Sequence, residues 1–420
     1  MYTFSNFIWA IRLWKEKKQR KVIGLYKQID CFNINMIFWK VLGIYPYRKI
    51  KFIYNLYCKI FLLLFIIFYD VLLTVNFYFL PSQLDAFIEE MIFYFTEISV
   101  TSKVLTFLIL RKNIRKILEV LESSIFEPVS DNGIKILNDA KKFNIVYWKI
   151  VAVVSFTSNL SHIISFFITH VVLEKSAEFP ICSYNFLPME IKERFIYPLY
   201  LYQSIGIHFH MLANLNIDTF FLGLMILVIA QLDILKDKLS CLTDTSKNIS
   251  GERNFDREQY EKNVIINFNQ AIVHHDELCK FCSLIQDTFN ITLLLQFGMA
   301  SSIICVCLFR FTLPAAKEYY IFLATYMFIM VIQIMVPCWF GTRIMEKSCL
   351  LSRAVYSCNW TSRSRRFKSS LRLFVERTNR PISITGGKMF TLSLVTFSSI
   401  MNSAYSFFTL LRNVQARENQ

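Results

Sequence analysis

The sequence predicts an all-α membrane protein of seven transmembrane helices, with a cytoplasmic N-terminus, an extracellular C-terminus and a helical anchor region on the cytoplasmic side. Three observations predict it. Hydrophobic residues make up 54% of the 420, with 41 Phe, 20 Tyr and a mean hydropathy of +0.40, more apolar than a water-soluble chain of that length requires. Seven apolar runs, at about 54–80, 86–110, 143–173, 195–230, 283–310, 318–340 and 386–411, each supply the roughly 20 helical residues that cross a hydrocarbon core of about 30 Å. Lys and Arg alternate between the connecting segments: eleven in 1–51, seven in 111–142, seven in 231–282 and ten in 341–385, against none in 81–85 and three in 173–194. The positive-inside rule then puts the N-terminus and loops two, four and six in the cytoplasm.

Residues 1–53 read as a cytoplasmic segment, in which Lys15, Lys17, Lys18, Arg20 and Lys21 interrupt any signal-like apolar core. Residues 54–230 hold the first four spans. The second carries Glu89, Glu90, Glu97 and Lys103; the last two need a water-filled cavity, a partner or a route to the interface. Loop two sets Ile114, Ile117, Leu118 and Leu121 among Arg111, Lys112, Arg115 and Lys116, as a continuation of the second membrane helix.

Residues 231–282 read as two cytoplasmic helices, one through Leu232, Leu235 and Leu239, the other through Tyr260, Val264, Phe268 and Leu278, joined by a break at Asn248 to Gly251. The second feeds directly into span five. Spans five and six fill 283–340. The apolar positions of 341–385, among them Leu350, Leu351, Val355, Phe367, Leu371, Leu373 and Phe374, predict a helical collar below the membrane, part of it available for subunit contact. Residues 386–411 form the seventh span, and 412–420 a short extracellular tail.

Several function classes drop out. Six histidines, at 162, 170, 208, 210, 274 and 275, give no zinc-protease spacing, the eleven cysteines form no metal-ligand set, and no Gly-rich phosphate cradle is present. No enzyme, cofactor or metal is expected. The net charge of +15 sits in segments flanking the spans, which suits anionic membrane lipids and gives no separable nucleic-acid domain.

Two features carry functional weight. Thr391, Ser398, Ser399, Asn402, Ser406 and Thr409 recur at helical spacing in the seventh run, as a water-facing wall would require; the same residues also suit packing between helices. The outer halves of spans two, three, four and six offer Tyr94 and Phe95; Asn159, His162 and Phe166; Tyr200, Gln203, Ile207 and His208; and Tyr320 and Tyr326. An apolar pocket with those few polar groups would bind a small, weakly polar molecule mainly by burial.

The stretches Pro337-Cys338-Trp339-Phe340-Gly341, Ala354-Val355-Tyr356, Asn359-Trp360, Arg380-Pro381-Ile382, Thr385-Gly386-Gly387-Lys388 and the closing Ala404-Tyr405-Ser406-Phe407-Phe408-Thr409 resemble the insect odorant receptors, in a ligand-selective member and not the shared coreceptor. The resemblance implies a receptor for a small volatile odorant that forms a heterotetramer with the coreceptor in the plasma membrane of olfactory sensory neurons. It implies a nonselective cation channel whose pore is lined by the seventh helix, with Val395 and Ser399 at or beside its narrowest part and monovalent and divalent cations in transit. A gustatory receptor would share the topology but close on a Gln-Phe signature absent here. A G-protein-coupled receptor would invert the termini, and a transporter would show a midplane site with related halves.

Overall fold

The structure, a computed structural model, describes residues 27–45, 52–80, 84–166, 179, 181–242, 254–314 and 317–418. The basic cluster at 15–21 and the break at 248–251 lie outside the described residues. After a 3-10 turn, Gln28–Phe32, come α1 (Asn33–Val41), α2 (Phe52–Tyr78), α3 (Leu84–Ile109), α4 (Arg111–Leu121), α5 (Asp131–Phe166), α6 (Met189–Arg194), α7 (Ile196–Ser240), α8 (Asn254–Arg310), α9 (Lys317–Tyr356) and α10 (Arg365–Thr378). An antiparallel pair, β1 (Thr385–Gly386) and β2 (Phe390–Thr391), precedes α11 (Leu394–Glu418). Seven of the helices, α2, α3, α5, α7, α8, α9 and α11, are long and apolar enough to cross a membrane.

Three of them are far too long to be spans alone. With 45, 57 and 40 residues, α7, α8 and α9 reach roughly 68, 86 and 60 Å at about 1.5 Å per residue, against a core of about 30 Å. Their excess lies at one end of the bundle, where α1, α4 and α10 pack around it as a collar. Helix α7 is the hub, because it is apolar on every side: 83% of its apolar window is buried, against 6% for α11.

Aromatic packing fixes the collar to the spans. Trp39 of α1 is fully buried, with ring centroids 4.8 Å from Phe220 of α7 and 4.9 Å from Phe107 of α3. Gly223 allows that approach, since a Cβ there would fall 2.5 Å from the Phe32 ring. Gln231 adds polar specificity: its amide N–H donates to Gln28 Oε1 (3.1 Å) and to the Phe126 carbonyl (2.9 Å), and its Oε1 accepts from His274 Nε2 (3.1 Å). Every partner is buried, so the loss of any one would leave a costly unpaired group. Burial also pushes the neighbouring Cys31 thiol up to about 12, which keeps it protonated and inert.

Helix α10 is stitched to α8 in the same way. Ser364 caps it by accepting from the Phe367 N–H, Phe268 packs against Phe367 (5.1 Å) and Phe374 (5.7 Å), and Arg377 pairs with Asp276 at 2.6 Å. Asp276, beside His274 and His275, is thereby engaged within its own subunit. Leu373, on the far face of α10, is 65% exposed.

The structure departs from the sequence reading at several elements: Leu232, Leu235 and Leu239 form no separate cytoplasmic helix but the end of α7, and Leu350, Leu351 and Val355 the end of α9. The second membrane helix does not run unbroken into loop two: it ends at Ile109, and α4 starts at Arg111 after a non-helical Leu110, which turns Ile114, Ile117, Leu118 and Leu121 into the core. The third membrane helix begins already at Asp131. The last helix starts at Leu394, not Gly386, because Gly387 (φ 63) and Lys388 (φ 54) make a left-handed turn that closes the β1–β2 hairpin. Thr391 therefore lies on β2 and not on the final helix.

Candidate functional site

Two regions are candidate sites: a cavity inside the bundle and an open face on α11. The cavity, about 200 Å³, sits between α5, α7 and α9. Helical spacing brings its walls together. Met211, Asn214, Leu215, Asp218 and Leu222 recur every three or four residues along α7, Tyr147, Val151 and Ser155 every four along α5, and Ile329, Gln333, Val336 and Pro337 along α9. The lining is mainly apolar, with one polar corner.

That corner is an ion pair. Lys103, from the second span, is 1% exposed and donates to both carboxylate oxygens of Asp218 (2.7 and 2.8 Å) and to Asn214 Oδ1 (2.6 Å). Gln333 Nε2 donates to Asp218 Oδ2 at 3.0 Å. The buried lysine thus finds its counter-charge on α7, as burial of a charge requires. Glu97, also on that span, pairs with His210 Nδ1, while His210 Nε2 donates to the Phe65 carbonyl at 2.9 Å. Both ring nitrogens of His210 thus face oxygen atoms.

The residues expected to line a ligand pocket lie farther from the collar. On α5, α7 and α9 they occupy 159–166, 200–208 and 320–326, whereas the cavity takes 147–155, 211–222 and 329–337. Several of them make local contacts. Gln203 Nε2 donates to the Cys182 carbonyl (2.6 Å), pinning a loop whose Cys182 and Tyr184 are buried. Tyr94 stacks on Phe77 (5.1 Å) and meets Thr74 Oγ1 (3.3 Å), and Tyr320 donates to the Leu313 carbonyl (2.6 Å). Tyr326 hydrogen-bonds Thr96, His208 faces Phe156 (5.7 Å), and Asn159 and Tyr200 are buried. Phe95 packs against the main apolar core, and Ile207 against a smaller cluster of Tyr69, Leu73, Cys182 and Tyr184. The side chains of His162 and Phe166 lie outside the described residues.

Sequence reasoning missed Asp218, Asn214 and Gln333. The signal was present in the pair of opposite charges, Lys103 and Asp218, inside two apolar runs.

Along α11, Val395, Ser398, Ser399, Asn402, Ser403 and Ser406 line an open groove of about 780 Å³. The hydroxyls of Ser403, Ser406 and Thr409 donate to the carbonyls of Ser399, Asn402 and Ser406 (2.8–2.9 Å). They are satisfied within their own helix and still offer lone pairs to water. Thr409 is half-buried beside this face. The opposite side packs on α8 and α9, with Ala404 fully buried. The start of α11 is fixed by Ser393, whose Oγ accepts the Thr396 N–H (3.1 Å), and by Thr342 of α9, which accepts the Leu394 N–H (3.0 Å).

Comparison with known proteins agrees with this architecture. The family described as 7tm Odorant receptor matches residues 83–405. Odorant receptor 67c of Drosophila melanogaster is 33% identical over 144 residues, covering 34% of this chain and 35% of that protein. Odorant receptor 2a of the same fly is 27% identical over 217 residues, 50% of this chain and 53% of that protein. The matches thus span about a third to a half of the length of these curated relatives. The fold is similar over nearly its whole length to the insect olfactory receptor OR5 from Machilis hrabei. One structure of it superposes with a TM-score of 0.72 at 16% identity, covering 93% of this chain and 99% of that one. Its complex with eugenol gives 0.71 at 15%, covering 91% and 97%. The chain belongs to the insect odorant receptor family.

Proposed function

We propose that this chain is the ligand-selective subunit of an odorant-gated, nonselective cation channel that forms a heterotetramer with the shared coreceptor in the plasma membrane of olfactory sensory neurons. Its N-terminus and collar face the cytoplasm and its C-terminus faces outside, in keeping with the Lys and Arg distribution. The observation that carries the reading is the open polar face of α11: a span with Ser399, Asn402 and Ser406 turned outward is stable in a membrane when water and neighbouring subunits cover it, as in a shared pore. Val395 and Ser399 are the candidates for its narrow part.

The ligand is a small volatile molecule, as eugenol is for the Machilis receptor, held in the bundle cavity and in the aromatic layer beside it. Coupling to the pore runs through α9. One turn beyond Pro337, a Cβ on Gly341 would fall 2.2 Å from the Leu392 carbonyl, so α9 meets the backbone of the segment that leads into α11. A ligand that binds better when α9 is displaced would shift the pore helix with it. Odorant-evoked cation current in cells carrying the coreceptor, recorded with and without this chain, tests the reading. Currents that do not depend on the chain despite its surface assembly would refute it.

A further inference from the structure

We propose that Asp218 is the selectivity residue of the inner cavity, and that the cavity takes a single-ring or comparably short molecule carrying one O–H or N–H donor, which it gives to the Asp218 carboxylate. The proposal rests on the reading of this chain as a ligand-binding receptor subunit.

The donor count decides the polarity of the site. An ammonium has three hydrogens, and Lys103 directs its Nζ to three acceptors, Asn214 Oδ1 and both oxygens of Asp218. No charged donor is left for the cavity. A carboxylate offers about four acceptor positions, of which Lys103 takes two and Gln333 one. Asp218 lines the cavity and its side chain is 24% exposed, against 1% for Lys103. The pair therefore turns its accepting member toward the ligand. Asn214, Gln296, Tyr147 and Ser155 also line the cavity, but hydrogen bonds to an ionised group are about twice as strong as neutral ones. An ether or aldehyde that displaces water from Asp218 leaves this acceptor unpaired.

Size narrows the class. An apolar cavity of about 150 Å³ accepts benzene, so the roughly 200 Å³ here fits a ring with one or two further heavy atoms, gripped by Tyr147, Val151, Phe221 and Val336.

Two matched pairs test this: benzyl alcohol against benzaldehyde, and 4-methylphenol against 4-methylanisole. Each is applied to the full chain with its coreceptor, read as cation current and as protection of Val151→Cys from a membrane-permeant thiol reagent, followed by mass spectrometry of that peptide. The hydroxyl member of each pair is expected to act at about tenfold lower concentration in both readouts. In the double variant Lys103→Met with Asp218→Leu that ratio is expected to fall to near unity. If the double variant does not reach the surface, Lys103→Gln with Asp218→Asn, which loses both charges and strands neither, replaces it, and the ratio is expected to fall severalfold because neutral hydrogen bonds are weaker than charged ones. Equal potency within the pairs, or a ratio unchanged in the variant, overturns the proposal, as does failure of every probe to protect Val151→Cys. Selective protection without current leaves the assignment of Asp218 standing and refutes the channel reading instead.

Discussion

Asn290 of α8 holds Lys388 of the hairpin that leads into the last helix: its Oδ1 accepts the Lys388 N–H at 2.8 Å, and its backbone carbonyl accepts the Gly387 N–H at 3.0 Å. Helix α8 runs from the collar through the bundle, so this double clamp links collar, span and last helix at one residue. Asn290→Ala removes the side-chain bond, worth about 1 kcal/mol net, whereas Asn290→Asp keeps an acceptor in place. The alanine variant is expected to shift the odorant concentration for half-maximal current by severalfold, and the aspartate variant much less. Equal behaviour of the two would mean that the clamp plays no part in gating.

Gly341 makes the second link to the last helix, and the contact with the Leu392 carbonyl leaves no room for a methyl group. Gly341→Ala is expected to cost about 1–3 kcal/mol by overpacking and to reduce surface assembly with the coreceptor. Gly298 is a natural control, since nothing lies within 4 Å of a Cβ built there. Its alanine variant should be neutral or gain up to about 1 kcal/mol of helix stability. Surface biotinylation and thermal unfolding of the purified complex compare them, and a Gly341→Ala complex as abundant and stable as the Gly298→Ala one would refute the close-contact argument.

The buried pair Lys103 and Asp218 makes an energetic prediction independent of any ligand. Removing one partner strands the other charge, at about 3–5 kcal/mol, while replacing both with apolar residues is near neutral. Lys103→Met and Asp218→Leu singly should each lower the unfolding temperature markedly, and the double variant should recover most of the loss. Additive losses would show that the two charges are not coupled.

These residues also explain what was legible in the sequence. The spans could be read because apolar run length and Lys and Arg bias are local properties, and Lys103 stood out as a charge in need of a partner. The partner did not, because Asp218 is 115 positions away and helical periodicity assigns a face without saying which faces meet. The same limit governs the cavity. Aromatic density drew attention to residues such as Gln203, whose amide is spent on the Cys182 loop, a contact no spacing rule reveals. Thr391 fitted the polar stripe only while Gly386 and Gly387 were read as part of one apolar run. Two adjacent glycines are a turn signal, and here Gly387 makes the turn with Lys388.

The face of α11 allows a direct test of the proposed pore. Val395 and Tyr405 are 79% and 60% exposed, whereas Ala404, one step around the same helix, is fully buried. Cysteines at Ser399 and Asn402 should therefore react with a charged, water-soluble thiol reagent applied during odorant stimulation and block the current, while Ala404→Cys should be unreactive. A hydrated pore lining predicts more: the reaction should quicken when odorant is present, because opening hydrates the constriction, and bulk at Val395 should reduce conductance without moving the odorant concentration for half-maximal response. If Ser399 and Asn402 instead face neighbouring helices through hydrogen bonds, their cysteine variants would resist the reagent in both states and impair assembly. Modification that is fast and independent of odorant would leave the face exposed to water but outside the gate, moving the constriction away from Val395 and Ser399.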